Sequence, residues 1–358
     1  MRITRLMAAR VRNLAPLDVA PGPALNLILG GNGAGKTSVL EAIHLLAYGR
    51  SFRGRVRDGL IRSGSQDLDV FVEWDDGGPR PRRAGLRHGG QQWSGRLDGA
   101  DATQLNLLCA ALAVLTFEPG SHALVSGGGE ARRRFLDWGL FHVEPDFLPV
   151  WRRYARALKQ RNALLKQRAG GAELDVWDAE LAAAAAPLEA RREAYLDRLQ
   201  PRFADLSGSL LPALGEGRLV HLPGWRRHEL PLADALLVAR PRDLASGHTS
   251  IGPHRSDWRI EHAGRPADEA FSRGQAKLVA LACVLAQGED FHARRGHWPV
   301  VLLDDLAAEL DRHHQARLLQ RLQASGAQVF VTGTEAPAVQ DGFSHVAFHV
   351  EHGNLMTK

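Results

Sequence analysis

The octapeptide Gly30-Gly31-Asn32-Gly33-Ala34-Gly35-Lys36-Thr37 constrains this chain more than any other segment. It directly follows the apolar run Leu25 to Leu29, and behind it Val39, Leu40, Ile43, Leu46 and Ala47 recur at helical spacing through Thr37 to Tyr48. Strand, glycine-rich turn and helix in that order make a phosphate loop of the pattern G-x-x-x-x-G-K-[ST]. Glycines let backbone N–H groups curl around an anion, and the helix N-terminus adds partial positive charge. Gly30, Asn32, Gly33, Ala34, Gly35, Lys36, Thr37 and Ser38 are therefore candidate nucleotide ligands. Lys36 is expected to reach the β- and γ-phosphates of ATP, and the Thr37 hydroxyl to coordinate Mg²⁺. A continuous apolar strand before such a loop belongs in a buried parallel sheet, so the expected fold class is α/β.

Two further segments complete a nucleotide site. Val300-Val301-Leu302-Leu303-Asp304-Asp305 is an apolar strand ending in two carboxylates, the form of a Walker B element. Asp304 is the candidate Mg²⁺ ligand and Asp305 the candidate catalytic base that polarises the attacking water. Taken alone, the pair also fits a strand end followed by a helix cap. Phe271-Ser272-Arg273-Gly274-Gln275 opens a helix and resembles the signature sequence of ABC-type ATPases. That resemblance implies that Ser272, Gly274 and Gln275 serve the γ-phosphate held by a second copy of the chain. A plain N-cap is the simpler reading of the same residues. Ala308-Glu309-Leu310-Asp311 stands where that class keeps a segment crossing the dimer interface.

Ile3 to Val11, Leu68 to Trp74 and Leu112 to Phe117 read as further strands, whereas residues 127–244 are rich in Ala, Leu, Arg and Glu without strong strand alternation. The α/β texture then returns, with a helix from Gly274 to about Gln287, a helix around His313 to Leu322 and the strand Gln328 to Val331. The expected organisation is an ATPase domain split over 1–126 and 245–358, with an inserted, mainly helical domain at 127–244. In Trp151 to Arg168, Trp151, Tyr154, Leu158 and Leu165 share one helical face and Arg152, Arg156, Lys159 and Lys166 another. The second face is a candidate stripe for DNA phosphates or an ordinary solvated face. Pro187, after the Ala182 to Ala186 run, is expected to kink or end a helix.

Composition excludes several classes. With 44% hydrophobic and 24% charged residues the chain is globular, and no apolar run is long enough for a membrane span or a signal peptide, so a cytoplasmic location is expected. Cys109 and Cys283 lack disulfide or zinc spacing and are expected to be reduced and buried. The formal charge of +5 permits a polyanionic partner. Only five of the 45 Lys and Arg residues are lysines, an arginine excess suited to phosphate contact that a compositional bias also explains.

The chain resembles the RecF family, compact SMC-like ATPases of bacterial gap repair, over nearly its whole length. Beyond the ATPase motifs, the resemblance rests on Gly49-Arg50-Ser51-Phe52-Arg53, on Arg132-Arg133-Arg134-Phe135-Leu136-Asp137-Trp138 and on Thr249-Ser250-Ile251-Gly252-Pro253-His254-Arg255-Ser256-Asp257. It implies an SMC-head-like fold and an ATP-dependent homodimer. It further implies binding to duplex DNA at single-strand gaps and cooperation with RecR and RecO in loading RecA. The chain departs from the expected pattern at Glu118-Pro119-Gly120, where the family places an acidic residue after the proline. It departs again at Asp305 and Thr332-Gly333-Thr334, where many ABC ATPases carry Glu and His; slow hydrolysis used as a switch is expected. His254 is a candidate for nucleotide or DNA contact or for a structural role, and Arg50, Arg53, Arg55 and Arg57 are candidate contacts to phosphates of ATP or DNA or else solvated loop arginines. An ABC transporter subunit shares the ATPase motifs but not the long helical stretch between Lys36 and Ser272. A small-molecule kinase would leave the signature helix without a role.

Overall fold

Alternation of fully buried and partly buried residues along Leu68–Asp75 marks a strand with one face in the core, and the computed structural model pairs it on both edges. The structure describes residues 1–54, 59–266, 269–338 and 344–357. It divides into two units, Met1–Ser121 with Phe291–Lys358, and His122–Asp290.

The first unit begins with β1 (Arg2–Ala9), β2 (Leu17–Val19), β3 (Leu25–Gly30), α1 (Lys36–Tyr48), β4 (Leu68–Asp75), β5 (Arg82–His88), β6 (Trp93–Leu97), β7 (Ala100–Asp101), α2 (Leu105–Ala111) and β8 (Val114–Phe117). The second contains α3 (Ala123–Ser126), α4 (Gly129–Val143), α5 (Phe147–Gln167), α6 (Gly171–Leu210), β9 (Gly217–Leu222), α7 (Leu232–Ser246) and β10 (Asp257–His262), followed by α8 (Arg273–Arg295). The first unit then resumes with β11 (Val300–Leu303), α9 (Leu306–Glu309), α10 (Arg312–Ala324), β12 (Val329–Gly333), β13 (His345–Glu351) and β14 (Asn354–Thr357).

Two six-stranded sheets build the first unit. One is antiparallel in the order β2-β1-β4-β5-β6-β7; the other runs β14-β13-β3-β12-β11-β8 and is parallel except for β14. Helix α1 packs into a single apolar cluster with both. Val39, Leu40, Ile43 and Leu46 join Ile3, Leu6, Val72 and Trp74 of one sheet and Ile28, Val300, Leu302 and Phe330 of the other. Because α1 is buried nearly all round, its apolar pattern is broader than a one-sided amphipathic stripe.

In the second unit, α5 and α6 lie against each other, and β9 pairs antiparallel with β10. Buried arginines tie the segments together. Arg161 donates to Asp243 (2.7 Å) and Thr249 (2.9 Å), and Arg192 to Asp137 (2.8 Å) and the Pro253 carbonyl (2.7 Å). Arg132 donates to both carboxylate oxygens of Asp257 (2.6 and 2.8 Å). Paired and hydrogen-bonded, these charges tolerate burial that isolated ones would not.

The structure differs from the sequence reading at several points. Residues 245–290 pack within the second unit rather than with the split ATPase core, since Thr249, Pro253 and Asp257 are partners of its buried arginines. The 127–244 stretch contains a strand, β9. Pro187 does not end α6, which holds both it and Pro201. Trp151 is 40% exposed, so the apolar face of α5 is carried by Tyr154, Ala157 and Leu165. Cys109 is half-buried, whereas Cys283 is buried; both are free thiols. Arg55 and Arg57 lie outside the described residues.

Gly139 on α4 gives the tightest packing test in this unit. A Cβ there would lie 1.9 Å from the Tyr195 hydroxyl of α6, which itself accepts a 3.1 Å bond from Gln287. Gly139→Ala is expected to destabilise the second unit by roughly 1–3 kcal/mol through overpacking. Denaturant unfolding followed by tryptophan fluorescence should show an earlier transition; an unchanged midpoint would refute the contact.

Candidate nucleotide site

The sheet order of the first unit sets the chemistry of the site. Strand β12 lies between β3, which ends in the phosphate loop, and β11, which ends in Asp304. Thr332 of β12 is consequently placed between the two motifs. Its hydroxyl donates to Asp304 Oδ1 (2.7 Å), and its oxygen accepts from the Asp305 backbone N–H (2.8 Å). The Thr37 hydroxyl donates to the same Asp304 oxygen at 2.9 Å. One buried carboxylate thus joins the loop helix and two strand ends. Burial pushes the Asp304 pKa up from the ordinary carboxylate range; the bonds from Thr332 and Thr37 oppose that shift, Asp305 adds repulsion and Arg53 attraction.

Glycine geometry shapes the loop. Gly35, the α1 N-cap, has φ of 116°, a conformation L side chains avoid, and Gly30 has no room for a Cβ, which would meet the Val350 carbonyl oxygen at 2.3 Å. Lys36 Nζ donates to the carbonyls of Gly30 (2.9 Å) and Gly31 (2.8 Å), folding its charge over the loop. Asn13 Nδ2 donates to the Gly33 carbonyl (3.0 Å), and the buried Ser38 hydroxyl faces Asn13 Oδ1 at 3.4 Å. Ala34 is anchored by its carbonyl, which accepts from Gly353 N–H (2.9 Å), while Asn32 is exposed.

An open cleft of about 820 Å³ lies over the loop. Gly33, Gly35, Lys36 and Thr37 line it together with Arg12, Asn13, Arg53, Ile61, Arg62 and Ser63. Three arginines and a lysine around one cleft suit a polyphosphate. Thr37 and Asp304 offer hydroxyl and carboxylate oxygens side by side, the hard donor set that Mg²⁺ takes. A hollow of about 730 Å³ on the antiparallel sheet has Phe71, Gly85 and Arg83 among its lining and carries none of the phosphate-loop side chains.

The remaining candidates fall elsewhere. Asp305 follows β11 at φ 50° as the N-cap of α9. Ser272, Gly274 and Gln275 belong to the second unit, at the start of α8. There Ser272 N–H donates to Gln275 Oε1 (2.9 Å) and Gln275 N–H to Ser272 Oγ (3.2 Å), a reciprocal capping box. The simpler N-cap reading therefore describes these residues as they stand. Ser272 and Gly274 are also exposed, with open space where a Gly274 side chain would go. Asp311 caps α10 through His314 N–H (2.9 Å) and also binds the His314 ring (2.7 Å), so of the two histidines there His313 alone is exposed. Glu118 turns back to accept from Gly120 N–H (2.6 Å), and Thr334 is exposed.

Sequence reasoning missed Arg12, Asn13, Arg62 and the positioning of Asp304 by Thr332. Arg12-Asn13 follows β1 in a turn with Arg12 at φ 48°, which no periodicity announces. Glu41, a charge inside the apolar run of α1, was the available sign that a basic partner lies close by.

Comparison with known proteins bears directly on this arrangement. Residues 86–356 match the family described as RecF/RecN/SMC N terminal domain, and residues 9–77 match an AAA domain. The chain is 62% identical to the DNA replication and repair protein RecF of Stenotrophomonas maltophilia (strain R551-3), over 99% of both sequences. It belongs to the RecF family. The RecF of Pseudomonas paraeruginosa (strain DSM 24068 / PA7) is 40% identical over 99% of this chain and 97% of its own. Among solved structures, the recombination mediator protein RecF with ATP, in the RecFOR pathway, superposes with a TM-score of 0.87 at 24% identity, covering all of this chain and 97% of that one. An Smc head bound to the C-winged helix domain of ScpA gives 0.62 at 15% identity, covering 100% and 97%. The fold is thus the mixed α/β fold of RecF and SMC heads.

Both ring nitrogens of His254 are engaged within the second unit. Its Nε2 donates to the Thr249 carbonyl (2.9 Å), which leaves Nδ1 to accept from the Tyr154 hydroxyl (2.7 Å). Burial is the main cause that pushes its pKa down to about 4 from 6.5. The unfolded chain therefore takes up the proton first, and stability falls as pH drops from about 6.5 through about 4, by roughly 3 kcal/mol in total. His254→Gln is expected to flatten the dependence of unfolding free energy on pH in that window. A slope equal to the parent's would contradict the buried neutral imidazole.

Proposed function

We propose that this RecF-family chain is an ATP-dependent DNA repair and recombination protein in which bound ATP holds two copies together on DNA. The observation that carries the reading is the Thr37–Asp304–Thr332 hydrogen-bond chain beneath the phosphate loop, which presets two oxygen donors beside the Lys36 cleft. Relatives named for DNA replication and repair, and a solved relative with ATP, support it.

The backbone N–H groups of the loop and Lys36 would cradle the triphosphate, Lys36 exchanging its bonds to Gly30 and Gly31 for phosphate oxygens. Thr37 and Asp304 would hold Mg²⁺, which when bound neutralises charge developing on the phosphates. Asp305, with its backbone pinned by Thr332, would accept the proton of the attacking water. Asp305 in place of Glu, and Thr332-Gly333-Thr334 where many ABC ATPases carry His, suit a slow switch rather than a fast pump.

Ser272 and Gly274 would meet the γ-phosphate bound by the other copy, so that ATP bridges two chains and the dimer opens after hydrolysis. Arginines of the first unit and exposed Arg152, Arg156, Lys159 and Lys166 on α5 would contact DNA phosphates without sequence preference. Membership of the RecF family further suggests duplex binding at single-strand gaps, with RecR and RecO as partners that help load RecA in the cytoplasm. No helix among the described residues is long and apolar enough to cross a membrane.

A mixing experiment tests the composite site. Lys36→Ala and Ser272→Arg should each abolish DNA-stimulated ATPase activity alone, the first by losing nucleotide and the second by blocking closure. In a mixed dimer one site retains both intact residues, so mixing should restore part of the activity with the concentration dependence of dimerisation. No recovery at any ratio would confine the site to one chain. Asp305→Asn should keep ATP and DNA binding while lengthening the lifetime of the DNA complex in ATP; faster release than the parent would contradict the switch.

A further inference from the structure

Glu41 sits on α1, about one turn beyond Lys36 and Thr37 and among the buried Val39, Leu40, Ala42 and Ile43, and is 0% exposed. A carboxylate so buried is costly unless its charge and lone pairs are matched. Here they are matched by two chain segments that both reach the nucleotide cleft. Arg12, in the turn after β1, donates to both carboxylate oxygens, from Nε to Oε2 at 2.5 Å and from Nη2 to Oε1 at 2.6 Å. Ser51, in the segment after α1, donates its hydroxyl to Oε1. The Ser51 oxygen in turn accepts from the backbone N–H of Arg53 at 2.9 Å. The turn bearing Arg12 is fixed a second time, because Arg12 N–H donates to the Leu60 carbonyl at 2.7 Å.

Arg12 and Arg53 both line the cleft that Lys36 and Thr37 line. We propose that Glu41 is a positioning residue for the nucleotide: through Arg12 and Ser51 it holds the two arginine-bearing walls at a set distance from the phosphate loop, so that ATP is distinguished from ADP. The logic is geometric. Arginine side chains are long and lose several rotamers on binding, so an arginine already held by a bidentate carboxylate meets a phosphate with less entropy to lose. Glu41 lies one helical turn beyond Lys36 and Thr37 on the same buried helix, and the distance between the loop and both arginine walls is set through one rigid element. The inference rests on the reading of the cleft as an ATP site.

The test compares dissociation constants for ATP and ADP, with Mg²⁺, in the full-length protein. The parent should bind ATP and Lys36→Ala should lose both nucleotides; a failure at that stage speaks against the ATP site itself. Given binding, Glu41→Gln and the milder Ser51→Ala should each reduce the ATP-over-ADP preference, Glu41→Gln by about tenfold, the scale of one charge-assisted contact. ADP affinity should change less than about threefold, within the range of ordinary context effects. Arg12→Gln combined with Glu41→Gln should be no worse in that preference than the worse single variant, as expected of residues acting as one unit. Equal weakening of both nucleotides, or an unchanged preference in folded Glu41→Gln and Ser51→Ala, overturns the proposal and leaves Glu41 as an internal staple. Should Glu41→Gln fail to fold, Ser51→Ala and Arg12→Lys decide the question by the same ratio.

Discussion

A helix buried on nearly every side cannot tilt or slide without disturbing two sheets at once, and α1 is such a helix. The phosphate loop is its N-terminal extension, so the loop inherits that rigidity. Asp304 then ties the first turn of α1 to the ends of β11 and β12. An anion site of this kind depends on donors that need no reorganisation when the ligand arrives. Core packing and binding chemistry share residues here. Val39, Leu40 and Ile43 fill the core, while Lys36, Thr37 and Glu41 of the same helix face polar partners.

The second unit is held by a different device. Arg161, Arg192 and Arg132 are buried or largely so, and their partners lie on segments far apart in sequence. The stretches Arg132 to Trp138 and Thr249 to Asp257, which mark the chain as RecF-like in sequence, are in large part the two halves of this ionic frame. Arg132 reaches Asp257, Arg133 the Ser256 carbonyl, and Asp137 meets Arg192 beside Pro253. Their chemistry is architectural within this unit, and the frame brings the 245–290 segment into the helical unit.

Legibility followed contiguity. Gly30 to Thr37 and Val300 to Asp305 carry their whole meaning within eight and six residues, and β11 ends where the sequence pattern ends it. The antiparallel sheet was only partly visible, because β5 and β6 are rich in arginine and glycine and bury few side chains. A strand of that composition is specified by its neighbour β4 more than by its own pattern. Pro187 does not end α6 because the lost hydrogen bond and the clash with the preceding turn are offset by packing: Leu181, Ala184, Ala185 and Leu188 are buried around it. Thr332 joins the site because β12 lies between β3 and β11, and Arg12 because its turn is tied to Glu41 and Leu60, contacts that no local spacing encodes.

The capping box at the start of α8 uses only part of what its serine offers. A hydroxyl has one proton to give and two lone pairs to fill. In Ser272 the Gln275 N–H occupies a lone pair, and the Gln275 side chain takes the serine's own backbone N–H. Among the described residues no acceptor takes the hydroxyl proton. Capping the helix thus uses only part of the Ser272 hydroxyl, so the γ-phosphate contact proposed for it would not require the helix end to fray.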